Sequence, residues 1–152
     1  DLHLSIRRQR QMCIRDRYSR MVLMKAISEL GLDPKQSVVL APDIGSAAIS
    51  QAYAKRLKMH FALIDKRRFA PNQAKVSHLI GDLDNMDVLI IDDMIDTAGT
   101  TVGAANAAME KGAKSVTAIA THGVLSGPAI ERLKSAPIKN LVVTLFQYRY
   151  SN

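Results

Sequence analysis

The stretch Val88–Thr101, VLIIDDMIDTAGTT, decides how this chain reads. Four β-prone apolar residues, Val88–Ile91, run straight into the adjacent carboxylates Asp92 and Asp93. Asp96 and Thr97 come next after Met94 and Ile95, then Ala98, Gly99, Thr100 and Thr101, where an Ala-rich helix is predicted to begin and run to Lys111. An apolar strand ending in paired acids, a small-residue loop and a helix N-terminus together suit a phosphorylated sugar. The loop offers backbone N–H groups and hydroxyls at the positive end of a helix, where a phosphate is stabilised. The carboxylates can accept hydrogen bonds from sugar hydroxyls or hold a hard cation. A plain helix cap accounts for one Asp or Thr, but not for two carboxylates before the loop and three threonines within it. Gly99 is expected to adopt a φ that a Cβ forbids, where the backbone closes on the anion.

Working outward, short apolar runs alternate with helical periodicity. Met21, Leu23, Met24, Ile27 and Leu30 mark a helix over residues 18–30 that Gly31 closes. Val38–Ala41 is a buried strand, Ser46–Lys58 a helix and Phe61–Ile64 a strand, and a polar connection continues through Asn72. Ala74–Ile80 is a further strand candidate. Beyond the opening motif, Gly112 ends the Ala-rich helix, Val116–Ala120 reads as a strand, Pro128–Ser135 as a helix and Leu141–Thr144 as a last strand. Uninterrupted four-residue apolar runs separated by helices predict an α/β fold, with a parallel sheet covered on both faces. Ligands of such sheets lie beyond the carboxyl ends of the strands.

Three loops would then open on that edge. After Ala41 comes Pro42-Asp43-Ile44-Gly45-Ser46, a second anion cradle whose carboxylate suits a metal–diphosphate, with Asp43 as the metal-ligand candidate. After Ile64 comes Asp65-Lys66-Arg67-Arg68, three consecutive cations suited to charge on phosphoryl oxygens. The third is the opening loop itself. His122 comes after a buried strand and reads as structural, and His60 and His78 read as structural or surface-exposed.

Composition narrows the classes. A chain of 152 residues is one domain's worth. No apolar run approaches the about 20 residues of a membrane span, and no secretory signal is evident. The single cysteine, Cys13, excludes an internal disulfide and fits a reducing, cytoplasmic compartment. The net charge of +7 resides largely in residues 1–20, where six arginines face two aspartates; the remainder carries 15 basic and 12 acidic residues. That small excess excludes a polybasic nucleic-acid surface. Residues 1–17 share no period with the rest of the chain, and Arg7–Arg17 (RRQRQMCIRDR) resembles the translated end of a transposon adapter used for sequencing libraries. They are expected to be a non-native leader.

The loop at Asp92–Thr100 resembles the phosphoribosyl-diphosphate (PRPP) motif of phosphoribosyltransferases and PRPP synthetases. The strings VVLAPDIGS, IDKRR, VLIIDDMIDTAGTT, GAKSV and THGVLSGPAIERL together are similar, over about Val38–Thr144, to the C-terminal half of the ribose-phosphate pyrophosphokinase family. The resemblance implies a phosphoribosyltransferase-like fold. It also implies that Asp92 and Asp93 take the ribose of ribose 5-phosphate, that Asp96, Thr97, Ala98, Gly99 and Thr100 take its phosphate, and that Asp43, Gly45 and Ser46 handle the diphosphate. Lys66 and Arg68 would be the catalytic cations of diphosphate transfer from MgATP to the ribose 1-hydroxyl, giving PRPP and AMP. Mg2+ is the implied cofactor, and ribose 5-phosphate, PRPP and ATP the implied ligands, in a homo-oligomer with no nucleic-acid or membrane partner.

The chain departs from the family at Ser46, where a second glycine is usual, and at Phe69 and Ala70, where Pro and Arg are usual. The family's ATP-contributing N-terminal half has no counterpart here, and the resemblance fades after Thr144, leaving 145–152 unmatched. The domain is accordingly expected to span 18–144, to be incomplete at its C-terminus and to be inactive by itself. The alternatives are a type I phosphoribosyltransferase and a non-catalytic PRPP-binding regulatory module.

Overall fold

A computed structural model describes residues 20–67 and 76–144. A helix over residues 20–29 (α1) leads through Gly31, in the left-handed region, and a single 3-10 turn at Pro34–Gln36 into β1, Ser37–Ala41. Next come α2 (Ala47–Leu57), β2 (His60–Arg67), β3 (Val76–Ile80), β4 (Asp87–Ile95), α3 (Gly99–Glu110), β5 (Ser115–Gly123), α4 (Ala129–Ser135) and β6 (Asn140–Val143).

The strands form one six-stranded sheet in the order β3-β2-β1-β4-β5-β6. All neighbours are parallel except β2 and β3, which pair antiparallel from Leu63–Ile80 to Arg67–Val76. The Ala74–Ile80 candidate is therefore an edge strand that begins at Val76, and it is the exception in a mostly parallel sheet.

Alternation within the buried runs explains why both faces are covered. Val38 and Leu40 of β1, with Val88 and Ile90 of β4, pack under Ala104, Ala105 and Ala108 of α3. Their neighbours Val39, Leu89 and Ile91 face the other way, against Leu23 and Ile27 of α1 and Tyr53 and Ala54 of α2. Successive side chains of a strand point to opposite faces, so a run with both faces buried has to be apolar throughout. The small alanines of α3 let that helix lie close to the sheet.

Strand order also locates the crevice. From β1 the chain winds outward through β2 to β3, then returns to lay β4 against the other side of β1. The order reverses between β1 and β4, and the crevice outside their carboxyl ends is where an open α/β sheet binds its ligand. Asp43 lies just past β1, and Asp92 on the last part of β4.

Candidate functional site

Several strands run further than their apolar residues indicate. β4 continues through Asp92 and Asp93 to Ile95, with Met94 in register with His122 and Ile95 with Gly123. The acidic pair thus sits on hydrogen-bonded strand rather than in a loop. Ser50 of α2 fixes the other flank of this strand end, its buried hydroxyl donating to the Ile91 carbonyl at 2.9 Å. His122 is half-buried on β5, and His60 and His78 are exposed.

Asp92 is half-buried and Asp93 exposed. Burial pushes the Asp92 carboxyl up from its ordinary 3.8 to about 6, and the carboxylates of Asp93 and Asp43 add to the rise. The Asp93 N–H, which donates to Asp92 Oδ1 at 2.9 Å, works in the opposite direction. Asp43 lies just past β1, so the ends of β1 and β4 bring carboxylates of two segments near one another.

Next to Asp92 lies a cavity of about 130 Å³ lined by Met94, Ile95 and residues 96–101. Its wall is the N-terminus of α3, which has no side-chain cap. The first intrahelical bond runs from the Val102 N–H to the Ala98 carbonyl at 2.9 Å. The N–H groups of Gly99, Thr100 and Thr101 therefore precede the helix's own bonding pattern. Together with the positive end of the helix dipole, they suit a bound phosphate.

The expectation for Gly99 is corrected. Ala98 is the residue in the left-handed region, at φ 61, whereas Gly99 already belongs to α3. A Cβ on Gly99 would meet Arg132 Nη1 at 3.6 Å and Thr97 Oγ1 at 4.0 Å, which is ordinary contact. The bend that opens the helix falls one residue earlier, because Ala98 is buried with Ile95, Ala120 and Ala129 and its methyl anchors the turn there.

The Asp43 loop also differs from a plain anion cradle. The Ser46 N–H donates to Asp43 Oδ1 at 3.0 Å, and the Ser46 hydroxyl lies 3.1 Å from both that oxygen and the Asp43 carbonyl. The Ala47 N–H is taken by the Ile44 carbonyl at 3.2 Å. The Ser46 and Ala47 N–H groups are thus satisfied within the loop. Ser46 is buried and turned back on Asp43, so its hydroxyl braces the loop.

The basic segment is not a loop at its start. Asp65, Lys66 and Arg67 continue β2, with Lys66 in register with Ser77 of β3. Pairing with an antiparallel neighbour extends the strand past the point where its apolar character stops. Arg68, Phe69 and Ala70 lie outside the described residues.

Two residues that touch the opening loop have no role assigned by local sequence. Ser126 donates to Asp96 Oδ1, and Arg132 Nη1 donates to the Thr97 carbonyl at 3.1 Å. They lie 30 and 35 residues beyond their partners, so no local spacing could reveal the contact. The one signal was the string THGVLSGPAIERL, in which both occur.

The family model for the phosphoribosyl transferase domain matches residues 18–146. The chain belongs to this family. Within it, the chain is homologous to part of the ribose-phosphate pyrophosphokinases. It is 48% identical over 122 residues to the Clostridium tetani protein of that name, which covers 80% of this chain and 38% of the relative. To that of Caldanaerobacter subterraneus subsp. tengcongensis it is 51% identical over 116 residues, 76% of this chain and 36% of the relative. This phosphoribosyl transferase domain thus spans less than two-fifths of the length of the curated relatives it matches. The solved phosphoribosylpyrophosphate synthetase of Mycobacterium smegmatis superposes with a TM-score of 0.72 at 36% identity, over 80% of this chain and 39% of that one. Adenine phosphoribosyltransferase from Thermoanaerobacter pseudethanolicus, at 21% identity and a TM-score of 0.58 over 84% of this chain and 80% of its own, shares the fold.

Proposed function

We propose that this domain binds ribose 5-phosphate and PRPP, and that it is the sugar-phosphate half of a ribose-phosphate diphosphokinase. The observation that carries the reading is the uncapped α3 N-terminus opening into a cavity beside the Asp92–Asp93 pair, at the sheet's switch point. The phosphate would take the N–H groups and hydroxyls of residues 96–100, and the ribose hydroxyls the two carboxylates. The 36–51% identity to ribose-phosphate pyrophosphokinases and a phosphoribosylpyrophosphate synthetase supports the synthetase reading over a transferase. The transferase structure at 21% identity speaks to fold alone.

In the complete reaction the ribose 1-hydroxyl oxygen bonds to the β-phosphorus of ATP. The bond from that phosphorus to the α–β bridging oxygen breaks, AMP leaves, and the hydroxyl proton is released. No covalent enzyme intermediate is needed, so this domain contributes orientation and charge. Lys66 and Arg68 are proposed as the cations facing the transferred group. Asp43 is proposed at the diphosphate side with Gly45 and Ser46.

Mg2+ fits the carboxylates present. Mutual repulsion among Asp92, Asp93 and Asp43 is part of what raises Asp92, and a cation would relieve it. Among the described residues no three His, Cys, Asp or Glu side chains converge to hold a metal unaided. Mg2+ characteristically takes one or two carboxylates and fills its shell with water and substrate phosphate oxygens, whose charge it neutralises. Asp43 would hold it through the carboxylate oxygen not bonded by Ser46, beside Asp92 and Asp93.

ATP contacts, catalysis of the full reaction, assembly into a homo-oligomer and a cytoplasmic location are proposed for the longer protein type that the relatives represent. No helix among the described residues is long and apolar enough to cross a membrane. We propose little or no PRPP formation by the chain alone. Calorimetric titration with ribose 5-phosphate, PRPP and nucleobases tests the reading, alongside an assay of PRPP formation from MgATP. Binding of the two sugar phosphates without base binding is expected. Base binding would favour a transferase, and absence of sugar-phosphate binding would end the proposal.

A further inference from the structure

The connection between β5 and α4, together with Arg132 on α4 itself, touches the opening loop at consecutive carbonyls. The Ile95 carbonyl accepts from the Val124 N–H at 3.0 Å and the Leu125 N–H at 3.1 Å. The Asp96 carbonyl accepts from the Ser126 N–H at 3.1 Å, and the Thr97 carbonyl from Arg132 Nη1 at 3.1 Å. The Asp96 carboxylate is held by the same segment through the Ser126 hydroxyl. The peptide bonds of the described residues are all trans. In a trans peptide the C=O of one residue and the N–H of the next point in opposite directions. With three carbonyls drawn toward residues 124–132, the N–H groups of Asp96, Thr97 and Ala98 are turned away from that segment.

This arrangement addresses two physical problems. Ala98 holds a left-handed conformation that disfavours any residue with a Cβ, and such a conformation persists only where its surroundings over-determine it. The Asp96 carboxylate would also repel a phosphate dianion if it were free to swing toward the cavity. The Ser126 hydroxyl restrains that carboxylate, and the Arg132 guanidinium adds a positive charge beside the Thr97 carbonyl.

We propose that Ser126 and Arg132 are positioning residues: they brace the Ile95–Ala98 backbone so that its N–H groups are already turned for the phosphate before it binds. The proposal rests on the ribose 5-phosphate reading for the identity of the ligand, but the brace itself can be observed without ligand. A pre-formed anion site binds more tightly because no ordering is left to occur on binding.

The test uses Arg132→Met, Arg132→Lys and Ser126→Ala in the full chain, with two measurements. Amide hydrogen exchange without ligand should accelerate about tenfold at Val124, Leu125 and Ser126, whose N–H groups bond the loop carbonyls, in R132M and S126A, while β1 and α2 stay unchanged. Affinity for ribose 5-phosphate should fall about tenfold in both, and R132K, which retains an N–H donor for the Thr97 carbonyl, should recover to within about threefold of wild type. Should R132M not fold, S126A carries both measurements. Unchanged exchange at these three amides overturns the brace, even if affinity falls, because Arg132 would then act by charge alone. Faster exchange in the variants, where the wild-type chain itself binds no ribose 5-phosphate, leaves the brace standing and removes the ligand reading.

Discussion

Asp92→Asn should raise the stability of the domain at neutral pH while weakening its sugar-phosphate binding. Burial, aided by the carboxylates of Asp93 and Asp43, lifts the Asp92 carboxyl from 3.8 to about 6, so the fold favours its protonated form. Between these values the folded state keeps a proton that the unfolded chain has released. The stabilising contribution is fully present below about 3.8 and is lost as pH rises through about 6. A rise of this size corresponds to about 3 kcal/mol at most, and solvent screening at a half-buried site reduces it to about 1–2 kcal/mol. Asn carries no charge at any of these pH values, so D92N should melt roughly 2–8 °C above wild type at pH 7. The gap should close near pH 4, which isolates Asp92 from the protein's other carboxylates. Ribose 5-phosphate binding, followed by calorimetry at pH 8, should weaken in D92N by about ten- to a hundredfold, as loss of a charge-assisted hydrogen bond entails. The alkaline pH keeps the ligand's phosphate, with a second pKa of about 6, fully ionised. A variant melting at or below wild type at pH 7, or a gap independent of pH, would refute the electrostatic argument. Unchanged affinity would remove Asp92 from the sugar site.

Further substitutions probe the supports of the site. Ala98→Val places a β-branched side chain at φ 61 and should cost on the order of 2–4 kcal/mol, read as a lower urea midpoint; an unchanged midpoint would mean that the turn relaxes. Ser50→Ala removes the buried bond to the Ile91 carbonyl and should destabilise by about 1–3 kcal/mol in equilibrium unfolding, whereas a neutral result would show that the carbonyl finds another donor. Ser46→Gly keeps the N–H bond to Asp43 but removes the hydroxyl from the loop. It should lower stability by about 0.5–1.5 kcal/mol in thermal melts, and a gain would show that the hydroxyl strains the loop.

Much of this was legible along the chain. Val88–Ile91 and Val38–Ala41 read as strands because residues buried on both faces leave no polar position in the run. Strand ends were less legible. Asp92–Ile95 and Asp65–Arg67 are too polar to signal a strand, yet β4 pairs with β5 as far as Ile95–Gly123 and β2 with β3 as far as Arg67–Val76. Inter-strand hydrogen bonds extended both, and those depend on a neighbour that local composition does not describe. The left-handed residue was misplaced for a related reason. Glycine tolerates such a φ at no steric cost, which pointed to Gly99, whereas the packing of the Ala98 methyl put the bend there.

By itself, the sequence determined the order of strand, acidic pair, loop and helix at VLIIDDMIDTAGTT, and with it the expectation of an anion site at a helix N-terminus. Those features depend on residue type and short spacing, which the chain carries directly. Only the tertiary structure decided that Asp43 acts on Asp92 across the switch point, that Ser46 turns back on Asp43, and that Ser126 and Arg132 hold the loop. The Asp43–Asp92, Ser126 and Arg132 relations join residues 30 or more positions apart, and Ser46 depends on how its own loop is closed. Such relations are set by how strands and helices stack, and no periodicity in a linear sequence encodes them.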